Sequence, residues 1–137
     1  NMRLSFAVGI ALSILVIILS TTPEQFLSNF YSGNTLYAFV YYLAVGFGEE
    51  LLFRGFLQLR CSFWLGDIRG LVLASTIMAL VHLPQRIFAL GLDPLQALIS
   101  ALSLMPFSLL MGFLMLRTRN ILGPSILHTV TNWVSVV

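Results

Sequence analysis

The sequence has no lysine, one cysteine and very little charge of either sign. Charged residues make up 9% of its 137 residues, whereas a soluble domain carries about 25%, so a soluble globular domain is excluded. The formal net charge is only +2 and the arginines form no basic tract, which excludes nucleic acid as a partner. The single cysteine, Cys61, excludes an internal disulfide framework and is interpreted as a small filler near a helix end.

Long apolar runs fill most of the chain. Hydrophobic residues account for 58% of it, and its mean hydropathy is +0.96. A bilayer core about 30 Å thick needs about 20 apolar residues per helix, and no repeat, low-complexity tract or strand pattern is visible. The sequence predicts an all-α, polytopic transmembrane helix bundle of about five membrane helices, expected to be part of a larger helical core. The predicted helices cover residues 4–20, 35–60, 70–83, 94–116 with a kink at Pro106, and 124 to the end.

Two parts of the chain differ in their content of polar motifs. Residues 1–34, the first membrane helix and a loop, carry none, whereas residues 35–137 hold all the candidate functional residues. Arg3 followed by an apolar run also resembles a signal peptide. The sequence from Ser20 to Glu24 contains no small-x-small cleavage site, however, so we interpret this run as a membrane helix.

Arginine placement predicts the orientation in the membrane. Loops are expected at residues 21–34, 61–69 and 84–93. With the amino terminus in the cytoplasm, all loop and terminal arginines except Arg86 lie on the cytoplasmic side, where basic residues are enriched. We therefore predict an integral membrane protein with a cytoplasmic amino terminus. The arginines assigned to that side are Arg3, Arg60, Arg69, Arg117 and Arg119.

Glu49, Glu50 and Arg54 lie inside the second apolar segment, where burying a charge costs at least ~2.5–3.5 kcal/mol. Such residues persist when they pair with each other or face a polar cavity. Glu50 and Arg54 are four apart and share a helix face, so the arginine can neutralise this carboxylate through a bidentate pair. Glu49 points about 100° away and is free to act as a general base. The alternative is a purely structural ion cluster.

Three other polar residues are expected at a similar depth. At ~1.5 Å per residue, Glu49 lies about 16 Å from the cytoplasmic end of its predicted helix. On the same side of the membrane, His82, His128 and Asn132 lie about 10–18 Å from the ends of their predicted helices. His128 and Asn132 share a face and can donate hydrogen bonds to an oxyanion, or they can join helices by hydrogen bonding. His82 taken alone is typical of a packed or interfacial residue. The shared depth favours a site.

The same side chains suggest a rival chemistry. One carboxylate and two histidines can bind Zn²⁺ and activate water, so Glu49, His82 and His128 form an alternative zinc site. The helical signature His-Glu-x-x-His is absent, however, because His82 is followed by Leu83-Pro84-Gln85-Arg86. We therefore predict no cofactor, with zinc as the alternative.

Other residues are interpreted as structural. Small side chains permit close helix approach in membranes, and aromatic side chains serve as interface belts or packing. The small residues in question are Gly46, Gly48, Ser108 and Gly112, and the aromatic ones are Tyr37, Tyr41, Tyr42, Trp64 and Trp133.

Three spaced motifs resemble those of a known family. The motifs are Glu49-Glu50-x-x-x-Arg54, Met78-x-x-x-His82 and His128-x-x-x-Asn132. In order and spacing they are similar to the CPBP family, which contains the CAAX prenyl endopeptidases and the Abi-type bacteriocin-processing and self-immunity proteins. The resemblance extends from about residue 37 to the end, so residues 35–137 are identified as a CPBP-like protease core. Met78, where the family commonly has Phe, is a change in packing.

The resemblance implies an intramembrane endopeptidase that hydrolyses a peptide bond near the cytoplasmic side of the membrane. It implies that Glu49, assisted by His82, activates water, and that His128 and Asn132 stabilise the oxyanion. Glu50 and Arg54 then support the site. The partners implied are a peptide or protein substrate and the lipid bilayer.

Two alternatives remain from the residues themselves. One is a non-proteolytic membrane scaffold, or an immunity or partner protein, whose polar cluster is structural. The other is a zinc-dependent intramembrane metalloprotease.

Overall fold

The computed structural model describes residues 1–30 and 34–136, and this part of the chain is almost entirely helical, without a strand. The predicted all-α class is confirmed. Two π-helical segments interrupt the α-helices, at Leu51–Gln58 and Gln85–Ala89. The α-helices are α1 (Met2–Ser20), α2 (Pro23–Phe30), α3 (Asn34–Glu50), α4 (Leu59–Leu65), α5 (Asp67–Leu80), α6 (Pro94–Leu102), α7 (Met105–Thr118) and α8 (Leu122–Val134).

Four helical stretches in the described part of the chain are long and apolar enough to cross a membrane. The longest has 31 residues, or about 46 Å at ~1.5 Å per residue, which exceeds a bilayer core of about 30 Å. The predicted fifth helix, α8, has 13 residues and packs against α1 and α3. The four stretches are Met2–Ser20, Thr35–Leu65, Asp67–Ala89 and Pro94–Thr118.

The predicted loop at residues 21–34 contains a helix that the sequence analysis missed. The Thr22 hydroxyl accepts a hydrogen bond from the Gln25 backbone N–H at 3.2 Å, and the Gln25 side chain accepts one from the Thr22 N–H at 3.1 Å. This reciprocal pair is a capping box. Pro23, at the first helical position, has no N–H to leave unsatisfied. The Thr-x-x-Gln spacing was a readable signal for α2.

The predicted loop at residues 61–69 is reduced to one residue. Gly66, with φ 84° and ψ 161°, alone separates α4 from α5, and only glycine adopts this backbone region readily. The predicted loop at residues 84–93 was also too long. Pro84 occupies the first turn of a new helical segment, where proline is tolerated, so the chain stays helical through Ala89.

The predicted kink at Pro106 is a break between two helices. α6 ends at Leu102 and α7 begins at Met105. Proline lacks the N–H that a continuous helix would need at this point. Asp93 begins α6 by accepting hydrogen bonds from the Leu95 and Gln96 N–H groups at 3.0 and 3.1 Å.

A π-helical segment directly follows the acidic pair. The chain stays helical after Glu50 but widens to i→i+5 pairing over Leu51–Gln58, a geometry that is frequent at functional sites. It buries three polar side chains, Glu50, Arg54 and Gln58, at 0–1% exposure. Gln58 donates a hydrogen bond to the Gly112 carbonyl at 2.9 Å, so α7 approaches this segment closely.

α1 carries no motif but packs tightly on α8, the helix that bears His128. A Cβ atom built on Gly9 would lie 2.6 Å from the Gly123 Cα, so the backbones meet directly. The Ser5 hydroxyl donates to the Asn120 carbonyl at 3.1 Å and accepts from the Gly123 N–H at 2.9 Å. α1 therefore fixes the amino-terminal end of α8.

Gly9→Ala should destabilise the protein by about 1–3 kcal/mol, because the new methyl group meets backbone that can yield only by separating α1 from α8. Gly48→Ala is the matched control. Nothing among the described residues lies within 4 Å of a Cβ at Gly48, so the predicted close contact there was wrong. Removing a helical glycine should instead stabilise by up to about 1 kcal/mol. Unfolding in detergent measures the stability of both variants. Equal changes in stability would contradict the close contact between Gly9 and Gly123.

The bundle has two distinguishable ends. One end holds residues 1–5, 60–69 and 117–122, where Arg119 and Asp67 lie 3.7 Å apart, and we call it the arginine-rich end. The opposite end holds residues 20–30, 34–35, 81–94 and 133–136. There the Trp133 indole N–H donates to the Thr35 carbonyl at 3.1 Å, and the ring packs edge-on against Phe39.

Candidate active site

Glu50 and Arg54 form a fully buried ion pair at the end of α3. The Arg54 Nε lies 3.2 Å from Glu50 Oε2, as their spacing predicts. The pair is not bidentate, because Arg54 Nη2 is directed to α7, where it donates to the Ser108 carbonyl and hydroxyl at 3.0 Å each. Ser108, predicted only as a small packing residue, is thus a polar partner of the motif. Its one sequence signal was a hydroxyl within an apolar helix.

Glu49 is free of this ion pair. Its side chain is 30% exposed, and its Oε2 makes no hydrogen bond to any described residue. The predicted division of the acidic pair into one paired and one free carboxylate therefore matches the geometry.

His128 lies between the two carboxylates. Its Nδ1 is 2.9 Å from Glu50 Oε1, and because a carboxylate can only accept, Nδ1 carries the proton. Its Nε2 is 3.8 Å from Glu49 Oε2, beyond hydrogen-bond distance. Phe107 packs edge-on against the imidazole with ring centres 5.6 Å apart. These contacts fix the ring and leave Nε2 directed toward the free carboxylate.

His82, in the turn that follows α5, is oriented by the backbone of that helix. Its Nδ1 lies 2.7 Å from the Met78 carbonyl oxygen, which can only accept, so Nδ1 is again the protonated nitrogen. In the neutral ring Nε2 then keeps its lone pair. Met78 therefore contributes its backbone carbonyl to orienting His82.

One cavity of about 780 Å³ receives the four predicted catalytic side chains. They come from three parts of the chain, α3, the turn after α5, and α8. The cavity extends from the level of Glu49 toward the opposite end of the bundle, since Tyr41, Ser103 and Ser135 also line it. The four are Glu49, His82, His128 and Asn132.

The alternative zinc site would use Glu49, His82 and His128. In the described part of the chain, no three His, Cys, Asp or Glu side chains converge as ligands would. The Nδ1 atoms of His82 and His128 are both hydrogen-bonded, one to a carbonyl and one to Glu50, which leaves their Nε2 atoms as the nitrogens that a metal would use.

Fold and site together define a class of protein, a polytopic integral membrane protein with a carboxylate–histidine site inside its helix bundle. A family model described as type II CAAX prenyl endopeptidase Rce1-like matches residues 30–134. The chain therefore belongs to the Rce1-like family of type II CAAX prenyl endopeptidases, as its motifs indicated, and its predicted class as a peptide-bond hydrolase is confirmed. No curated protein and no solved structure matches the chain.

Proposed function

We propose that the chain is an intramembrane endopeptidase whose general base is Glu49. The observation that supports it is the contrast between the two carboxylates. Glu50 is bound to Arg54 and His128, whereas Glu49 Oε2 makes no hydrogen bond to a described residue, lies 3.8 Å from His128 Nε2 and lines a cavity shared with His82, His128 and Asn132. A carboxylate near a bound water can take its proton as the oxygen attacks a peptide carbonyl.

The other residues have complementary roles in this proposal. His82 Nε2 accepts a hydrogen bond from the attacking water and orients it. Asn132 donates its amide N–H to the oxyanion, and His128 donates from Nε2 in its imidazolium form. Glu49 then returns its proton to the leaving amine as the tetrahedral intermediate collapses. The bonds formed and broken are those of hydrolysis, with one water consumed.

The substrate class follows the family description, a peptide with a prenylated cysteine near its carboxyl terminus. Processing of a bacteriocin-like or other unprenylated peptide, or self-immunity, is the second candidate.

In the experiment that tests the proposal, purified protein in liposomes is incubated with matched prenylated and unprenylated peptides, with and without a strong chelator. Cleavage that persists in chelator supports the glutamate-dependent reaction, and its loss would revive the zinc alternative. Folded protein that cleaves neither peptide would contradict the proposal and favour the scaffold or partner role.

The location of the cavity bears on the side of the membrane from which substrate enters. The cavity extends away from the arginine-rich end, which fits a cytoplasmic amino terminus with substrate entry from the extracytoplasmic side, or the reverse orientation with cleavage near the cytoplasmic side. We propose the orientation that the arginine distribution favours, with the amino terminus in the cytoplasm. The cavity then opens toward the extracytoplasmic side.

Cysteine labelling tests this orientation. Cys61→Ala removes the sole cysteine, and Phe88→Cys or Trp64→Cys then places one thiol at either end, at side chains 85% and 71% exposed. A membrane-impermeant maleimide should label Phe88→Cys in intact cells and Trp64→Cys only after permeabilisation. The cysteine-free protein is the control. The reverse pattern would place both the cavity mouth and cleavage on the cytoplasmic side.

A further inference from the structure

Two charged side chains among the described residues line the cavity, Glu49 and Arg86. Arg86 belongs to the second π-helical segment, and its backbone N–H donates to the His82 carbonyl at 3.0 Å. The segment that carries it is thus joined to the turn that positions His82. The sequence analysis had assigned Arg86 no function.

The Arg86 side chain has no internal partner in the described part of the chain. Its Nε is buried and makes no hydrogen bond there, although a guanidinium presents five donors suited to a carboxylate or phosphate. The described carboxylates are otherwise placed. Glu50 binds Arg54 and His128, Asp67 lies near Arg119, Asp93 begins α6, Glu49 faces His128, and Glu24 lies exposed in the first turn of α2.

A partly buried arginine that shares a cavity with the proposed general base and has no described partner indicates an anion supplied from outside the chain. A planar carboxylate matches the guanidinium fork by paired N–H donation. A lipid phosphate is less suited, because Nε is buried in the cavity wall and the lining is shared with Glu49 and His82. A cavity of about 780 Å³ lies within the range of ligand pockets.

We propose that Arg86 binds the terminal α-carboxylate of the peptide substrate. This inference rests on the proposed function. Holding the chain end at Arg86 fixes how many residues separate it from the peptide bond beside Glu49. Arg86 is thereby a specificity residue that contacts substrate without taking part in the proton transfers.

The test compares one peptide in two forms, with a free terminal carboxylate and with a terminal amide. Wild-type protein should cleave the free acid with kcat/KM about ten- to a hundredfold higher, as expected for a hydrogen bond to a charged group. Arg86→Gln should lower kcat/KM for the acid to near the level of the amide, mainly through KM, and should lower kcat/KM for the amide much less. Arg69→Gln, an exposed arginine at the arginine-rich end, should change neither.

Several outcomes would overturn the inference. If the wild-type protein showed no preference for the peptide with a free carboxylate, the inference would be overturned. This result needs no variant, so it holds even if Arg86→Gln fails to fold. Equal losses for acid and amide in Arg86→Gln would assign Arg86 a structural or lipid-binding role. Preserved preference for the acid in that variant would place the carboxylate elsewhere. Wild type that cleaves neither form would instead contradict the proposed endopeptidase function itself.

Discussion

Replacing Glu49 with glutamine should abolish peptide cleavage and leave the protein folded. The amide has nearly the same shape but cannot accept the proton of the attacking water, and general base catalysis contributes about 10²–10⁴-fold to rate. Stability should change little, because Glu49 is 30% exposed and outside the Glu50–Arg54 pair. Single-turnover cleavage and unfolding in detergent measure the two effects separately.

Glu24→Gln is the matched control, since Glu24 lies exposed in the first turn of α2. It should leave both rate and stability unchanged. Cleavage by Glu49→Gln at near wild-type rate would contradict the assignment of the base. If Glu49→Gln lost stability as well as activity, Glu49 would belong to a structural network. The proposed division of roles between Glu49 and Glu50 would then be wrong.

The position of the site was predictable because helix geometry turns residue number into depth. Counting along predicted helices placed Glu49, His82, His128 and Asn132 at one level, and the structure has all four lining one cavity. Errors of several residues at helix ends, such as the extension of α4 to Leu65, did not affect this result. In an apolar chain, polar residues are few enough that a common depth is informative.

Which faces of the helices contact each other was not predictable in the same way. The bond from Arg54 to Ser108 joins residues 54 apart in sequence, and it depends on which side of α7 turns inward. A helix that is apolar all round carries no amphipathic signal to indicate that side. The π-helical segment after Glu50 and the placement of Arg86 in the cavity depend on the same packing. The close approach expected at Gly48 failed for this reason.

Replacing Arg54 with alanine should destabilise the fold by about 3–5 kcal/mol, because it leaves the Glu50 carboxylate buried without its cation. The Ser108 carbonyl and hydroxyl lose their donor as well. Reversible unfolding in mixed detergent measures the loss. Arg117→Ala, at an exposed position in the last turn of α7, is the control and should change stability by no more than about 0.5 kcal/mol.

A double variant separates the charge from the packing. In Glu50→Gln with Arg54→Met no unpaired buried charge remains, and buried ion pairs replaced by uncharged groups of similar volume often lose little stability. The double variant should therefore be more stable than Arg54→Ala alone. A loss equal to that of Arg54→Ala would locate the effect in packing against Ser108. Together with Glu49→Gln, these variants distinguish an enzyme from a scaffold. In an enzyme, activity depends on Glu49 and stability depends on Arg54. In a scaffold, Glu49→Gln has no consequence, and only the replacement of Arg54 lowers stability.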